Sequence, residues 1–217
     1  MSRTNRNSVT VRVPAKVNLQ LAVGPREADG FHNLVTVFQA ISIYDDVTIT
    51  KSAPGNGITI RIIGDHTHGV PADATNLAVK AAQLIADDYD FVIDAHIEVN
   101  KSIPVAGGMA GGSSDAAAML VALNEFLYQE QGITKLSVAA LAELGAALGS
   151  DIPFCLYGGL AIGTNRGEQI QELPGLQFES NWLLCISNQG LSTPLVFHKF
   201  DELSEGNSFS DLGDLGI

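Results

Sequence analysis

The sequence predicts an α+β fold, and three observations predict it. A long period-two run near the amino terminus reads as strand, a strand–glycine loop–apolar helix unit occupies the middle, and strand and glycine-turn character returns after residue 160. Over 9–23 every odd position is apolar: Val9, Val11, Val13, Ala15, Val17, Leu19, Leu21 and Val23. That alternation predicts a half-buried strand bent near Pro14, with Lys16 and Asn18 projecting from its non-core face. Further strands are predicted over 35–43, 47–50 and 58–63, separated by Tyr44-Asp45-Asp46 and by the turn signal Pro54-Gly55-Asn56-Gly57. Thr75 is placed to cap a helix running to about residue 86.

Ile93, Ala95, Ile97 and Val99 alternate with polar residues and predict another half-buried strand. It leads into Pro104-Val105-Ala106-Gly107-Gly108-Met109-Ala110-Gly111-Gly112-Ser113-Ser114 and then an apolar run to Tyr128, read as a loop followed by a buried helix. A second helix is predicted over 136–148, stopped by Gly149 and followed by Ser150-Asp151-Ile152-Pro153. The stretch 160–197 reads as strands and glycine turns, and the chain shows neither an internal repeat nor a clear linker.

At 217 residues, with 46% hydrophobic and 17% charged residues, the chain can bury a full core as one domain or two small ones. No apolar run approaches the roughly 20 residues a membrane helix needs, and the polar start, then alternation, over 1–13 lacks a signal-peptide block. Cys155 and Cys185 lie in apolar stretches without metal-ligand spacing, which predicts buried thiols in a reducing cytoplasm. A net charge of −12 argues against nucleic-acid binding, which needs a basic face, but not against an anionic small substrate met by a few local cations. Asp201, Glu202, Glu205, Asp211 and Asp214 make the last stretch read as a mobile acidic tail.

The loop is the sharpest chemical feature. Four glycines within six positions allow positive φ and a close backbone approach to a ligand, and the following helix offers unpaired N–H groups and a positive dipole end to an anion. Ser113 and Ser114 add hydroxyls that could reach a metal. A tight turn with a serine cap is the plainer reading, but it needs only one or two glycines. The loop is not a P-loop, because no Gly-Lys pair exists, nor a dinucleotide fingerprint, because positions 107, 108, 111 and 112 do not give its spacing.

Lys16 alone would ordinarily be a solvated strand charge, and Asp151 alone a turn former. Together they supply what alcohol phosphorylation requires: a carboxylate for the hydroxyl proton and an ammonium for the charge on the moving phosphoryl group. Phe31 and His32, after Asp29-Gly30, could stack on a base and bond its edge, although a core aromatic beside a surface histidine is the commoner case. His66 and His68 lack a third ligand nearby, so no metal site is predicted from protein residues.

Four segments together resemble the GHMP kinases: Pro14-Ala15-Lys16-Val17-Asn18-Leu19, Asp29-Gly30-Phe31-His32-Asn33-Leu34, the loop from Gly107 to Ala117, and Leu148-Gly149-Ser150-Asp151-Ile152-Pro153-Phe154. Within that family, Lys-x-Asn joined to Asp-Gly-aromatic-His resembles the members acting on 4-diphosphocytidyl-2-C-methyl-D-erythritol in the non-mevalonate route to isoprenoid precursors. The resemblance implies the family's amino-terminal domain over 1–197, of the ribosomal protein S5 domain 2-like type with a left-handed βαβ unit. It implies ATP and Mg2+ as cofactors, a small-molecule substrate, a cytoplasmic location, and no nucleic-acid or membrane partner.

By the same resemblance, Asp151 is the base and Lys16 its partner. Asn18, Thr193, Phe31, His32 and Phe197 hold the substrate, with the two phenylalanines around the cytosine. Pro104 and the residues from Gly107 to Ser114 cradle the ATP phosphates, and Asn76 and Lys101 lie near the adenosine. Phe31 stands where the family usually has tyrosine, and Arg26-Glu27-Ala28 replaces a more basic run. The family also carries a second domain, so the resemblance predicts that the sequence stops short of it, with 198–217 as tail or the start of that domain. Mevalonate-type, homoserine or sugar substrates, and a non-catalytic nucleotide-binding module, remain alternatives.

Overall fold

The computed structural model describes residues 7–89, 91–175, 180–186, 190 and 192–204. Its elements run β1 (Ser8–Arg26), β2 (His32–Lys51), β3 (Ile58–Gly64), α1 (Leu77–Asp88), β4 (Ala95–Lys101), α2 (Gly111–Gln131), α3 (Val138–Ala146), α4 (Ile152–Tyr157), β5 (Leu160–Asn165), β6 (Gln169–Glu172) and α5 (Thr193–Ser204). The sheet order is β3-β4-β2-β5-β6, with β1 also paired to β2. All pairs are antiparallel except β3 with β4, which flank α1 as a βαβ unit. The α+β reading therefore holds.

The main core forms where α1 and α2 press on the sheet. Ala78, Ala82 and Ile85 of α1 meet Met119, Leu120 and Leu123 of α2 above Val47 and Ile49 of β2 and Ile97 and Val99 of β4, all of them essentially inaccessible to water. Each large side chain so buried contributes about 1.5–3 kcal/mol. The many alanines on α1 and on the first half of α2 let the two helices approach each other and the sheet closely.

Several expectations need correction. The predicted strands over 35–43 and 47–50 are one strand, because Tyr44-Asp45-Asp46 stays in the ladder rather than turning. Its two acids are satisfied there: Arg12 grips Asp46 through Nε and Nη2 at 2.8 and 3.0 Å, and Asp45 accepts from the backbone N–H groups of Ser102 and Ile103. The alternation of β1 also fails beyond Ala15. Register shifts between Pro14 and Ala15 and between Asn18 and Gln20 slip the two-residue period, so Lys16 is buried while Leu19 and Leu21 face solvent.

Asn76, not Thr75, caps α1: its side chain accepts from the N–H of Ala78, while Thr75 bonds to Asp73. The short helix α4 was not foreseen. Nor was α5, which occupies residues read as strand or turn and runs across the predicted boundary at 197. Asp201 and Glu202 lie on α5, whereas Glu205, Asp211 and Asp214 fall outside the described residues. Cys155 is buried as expected, but Cys185 is exposed. Among the described residues no helix is long and apolar enough to cross a membrane.

Candidate active site

Tertiary structure brings Lys16 and Asp151 together from opposite parts of the chain. Lys16 leaves β1 just past its first bulge, and Asp151 flanks the N-terminus of α4, held by the turn after α3. Lys16 Nζ lies 3.6 Å from Asp151 Oδ2, with the lysine side chain 8% and the aspartate side chain 35% exposed. A shielded cation beside a partly exposed carboxylate is the arrangement predicted for alcohol phosphorylation. Lys16 also donates to Asn18 Oδ1 at 2.7 Å and sits 5.4 Å from the centre of the Phe38 ring, which stacks on Phe154.

The glycine loop lies against this pair. The Met109 carbonyl accepts from Lys16 N–H at 3.2 Å, and the Met109 side chain, 7% exposed, anchors the loop over Ala15, Ile41 and Ile103. Residues 105–108 face solvent and Pro104 is buried beneath them. Ala106 and Ala110 both take left-handed φ, at 54° and 59°, a conformation costly for a residue with a Cβ. Ala110 is the residue before α2 and gives no side-chain cap, so among the described residues no side chain caps the first N–H groups of this 21-residue helix, which suits an anion there.

The helix starts inside the glycine run, with Gly111, Gly112 and Ser113 in its first turn. Ser114 is fully buried and donates its hydroxyl to the Pro14 carbonyl at 3.0 Å. It is thus engaged in joining α2 to β1, which leaves Ser113 as the loop hydroxyl suited to a ligand. Among the described residues no group of three or more His, Cys, Asp or Glu side chains could hold a metal ion. The Ser113 hydroxyl is an oxygen donor of the kind suited to a hard cation shared with phosphate oxygens.

Lys101 is 2% exposed and lies beneath the loop rather than in it. Its ammonium bonds to Asp45 and, at 2.7 Å, to Asp115 of α2. Asp115 Oδ1 has no hydrogen-bond partner, and burial pushes this carboxyl up to about 7, with Lys101 opposing the rise and Asp45 adding to it. A Cβ on Gly111 would lie 3.2 Å from Lys101 Nζ and from Ile103 Cγ2, so a side chain there would press on both. Asn76 is 5% exposed, and both ends of its amide bond to backbone, at Pro71 and Ala78.

The aromatic cluster departs in detail from a simple sandwich. Phe31 is 54% exposed, and the guanidinium of Arg166 lies 3.9 Å from the centre of its ring while bonding to Asp29. His32 is buried; its Nδ1 donates to the Gly24 carbonyl at 2.9 Å and its Nε2 faces Asp201 of α5 at 3.2 Å. Phe197 stacks on His32 at 5.2 Å, and Thr193 opens α5 on the exposed side. Sequence reasoning missed Asp45, Thr36 and Arg166. An acid inside an alternating strand was a signal for Asp45, whereas Arg166 is marked by nothing local.

Residues 76–159 match the GHMP kinases N terminal domain model, a span that holds the loop, α2, α3 and Asp151. The 4-diphosphocytidyl-2-C-methyl-D-erythritol kinase of Streptomyces coelicolor is 49% identical over 199 residues, covering 92% of this chain and 64% of that protein. The kinase of the same name from Kineococcus radiotolerans is 51% identical over 200 residues, covering 91% and 59%. A crystal structure of 4-(cytidine 5'-diphospho)-2C-methyl-D-erythritol kinase superposes with a TM-score of 0.61 at 30% identity, covering 88% of this chain and 63% of that one. The chain thus spans about three fifths of the length of the relatives it matches. With its paired lysine and aspartate, its uncapped helix N-terminus and these likenesses, the chain carries the N-terminal domain of the GHMP kinases.

Proposed function

We propose that the chain serves, in the cytoplasm, as the catalytic half of a kinase that moves the γ-phosphoryl group of ATP to the 2-hydroxyl of 4-diphosphocytidyl-2-C-methyl-D-erythritol. The observation that carries this reading is the Lys16–Asp151 pair at 3.6 Å, beside a helix N-terminus that no side chain caps among the described residues. Asp151 accepts the hydroxyl proton as the oxygen attacks phosphorus. Lys16 pairs with that carboxylate and offsets the charge on the phosphoryl oxygens, and ADP leaves. The loop at Pro104 and from Gly107 to Ser114 takes the ATP phosphates through backbone N–H groups, with the Ser113 hydroxyl beside them. Mg2+, when bound, supplies further charge neutralisation of the phosphates. In this reading Asn76 supports the adenosine side through the Pro71 and Ala78 backbone it holds, and Lys101 through the carboxylates of Asp45 and Asp115, rather than by direct contact.

Phe31, His32, Phe197 and Thr193 form the cytidyl side of the site. With Arg166 on one face of Phe31, a cytosine stacks on the other. Because both His32 nitrogens already face protein oxygens, the ring acts first as the platform under Phe197. That engagement also favours testing a second reading, in which another alcohol of the family's substrate range is phosphorylated.

The test is ADP release from Mg·ATP with the cytidyl diphosphate alcohol, comparing wild type with Asp151→Asn. Turnover that requires the alcohol, is inhibited by CMP and falls at least about a hundred-fold in the variant is expected, in line with the usual contribution of a positioned base. Turnover insensitive to CMP would move the assignment to another alcohol. ATP binding without turnover would leave a nucleotide-binding module.

A further inference from the structure

We propose that Thr36 is a positioning residue for Lys16, acting through the amide of Asn18. The inference rests on the phosphoryl-transfer reading above and adds to it a residue that the sequence motifs do not mark. Three hydrogen bonds of 2.7 Å run in series: Lys16 Nζ to Asn18 Oδ1, Asn18 Nδ2 to Thr36 Oγ1, and Thr36 Oγ1 to the carbonyl of Gln20. The chemistry of the groups fixes their direction. An ammonium has donors only, so the amide oxygen of Asn18 must face Lys16 and its NH2 must face Thr36. The threonine oxygen then accepts, and its single proton is directed to a carbonyl that can only accept. No rotor or amide flip is left free, and Thr36 is 1% exposed, so water does not compete for it.

The surrounding fold builds this chain. The register shift between Asn18 and Gln20 leaves Leu19 without a partner on β2 and re-aims the side chains on either side of it. Thr36 and Phe38 sit on the same face of β2, over Gly163 of β5. A Cβ there would come within 2.5 Å of the Phe38 ring and 3.1 Å of Thr36 Cγ2. Lys16 is thereby held on one side by the Asn18–Thr36 chain and on another by the Phe38 ring, with Asp151 at 3.6 Å. With one N–H committed to Asn18, two remain for Asp151 and the transferring phosphoryl group.

Thr36→Val, which keeps the shape and removes the hydroxyl, tests this in the full chain. The expected result is a fall in kcat of about ten-fold, the effect of one net hydrogen bond. KM for Mg·ATP should hold, and Thr36→Ser should restore the rate. In an Asn18→Ala background, where the chain is already broken, Thr36→Val should cost nothing further. A purely packing role for Thr36 would instead give additive losses, and unchanged kcat in Thr36→Val would overturn the assignment while leaving the kinase reading intact. Thr36→Ala removes the same hydroxyl should the valine variant not fold.

Lysine-selective isotope-labelled NMR gives a readout free of ligand and activity. The Lys16 ammonium should give a protected signal in wild type and Thr36→Ser, and a shifted or exchange-broadened one in Thr36→Val. An identical signal in all three overturns the positioning role. A shift confined to Thr36→Val, together with a wild-type chain that turns over no alcohol, retains the positioning chain and refutes the kinase reading.

Discussion

Asp115 shows how a residue chosen for the helix start acquires a second property from its surroundings. Next to two serines it reads as a carboxylate that suits the helix dipole, yet it is 2% exposed and shares Lys101 with Asp45. Two carboxylates around one ammonium leave an excess negative charge in a dry site, and the proton that relieves it resides on Asp115, whose folded value is about 7. The unfolded chain has released that proton well below this value. The group's contribution to stability is therefore complete at acid pH below the ordinary carboxylate value and is lost as pH rises through about 7. Urea midpoints measured from pH 4 to 8 should carry this downward component, and Asp115→Asn should remove it. A variant with the same pH slope as wild type would show that the proton lies elsewhere.

At the scale of elements, the placement of Asp151 depends on a contact between two short helices. Gly145 near the end of α3 faces Ile152 of α4 so closely that a Cβ there would lie 2.6 Å from Ile152 Cγ2 and 3.2 Å from a Leu120 methyl. Ile152 is fully buried and its γ-methyl is tied directly to a branched Cβ, so α4 itself must shift to admit a methyl group. Gly145→Ala is expected to destabilise the fold by about 1–3 kcal/mol. It should also lower kcat, because Asp151 immediately precedes Ile152 and moves with it. Paired urea unfolding and ADP-release assays separate the two effects, and a stability loss with unchanged kcat would show that Asp151 is placed independently of α4. The bulged pairing of β1 with β2 works the same way on the proposed partner of Asp151, since the register shifts on either side of Lys16 break the alternation that would leave it exposed.

Over the whole molecule, a net charge of −12 opposes the approach of a polyphosphate to a site with Lys16 at its centre. Screening acts on that long-range field more than on the short contacts inside the cleft. The Debye length shrinks from about 30 Å at 0.01 M salt to about 8 Å at 0.15 M. KM for Mg·ATP should therefore fall as KCl rises over this range at fixed free Mg2+. A steady increase in KM would show that local attraction at the loop outweighs the global field.

Much of the architecture was legible in the chain because local periodicity, glycine runs and stop signals act within a few residues. β1, β3, β4 and the sequence of loop and helix at 104–128 could be read that way, and the four motif segments marked Lys16, Asp151 and the loop. Other features were not legible, since they depend on residues distant in sequence. Tyr44-Asp45-Asp46 looks like a turn until Lys101, 56 positions from Asp45, supplies the charge that lets it remain strand. Thr36 is an ordinary β-branched strand residue until a bulge in β1 brings Asn18 to its hydroxyl. Phe31 has no visible partner until the β5–β6 turn lays Arg166 over its ring. The sequence by itself determined the α+β class and singled out the glycine loop, Lys16 and Asp151 as candidates for the chemistry. Only the tertiary structure decided which polar groups are buried, what each is bonded to and which atoms remain free, because desolvation and hydrogen-bond direction are properties of neighbours in space rather than in the chain.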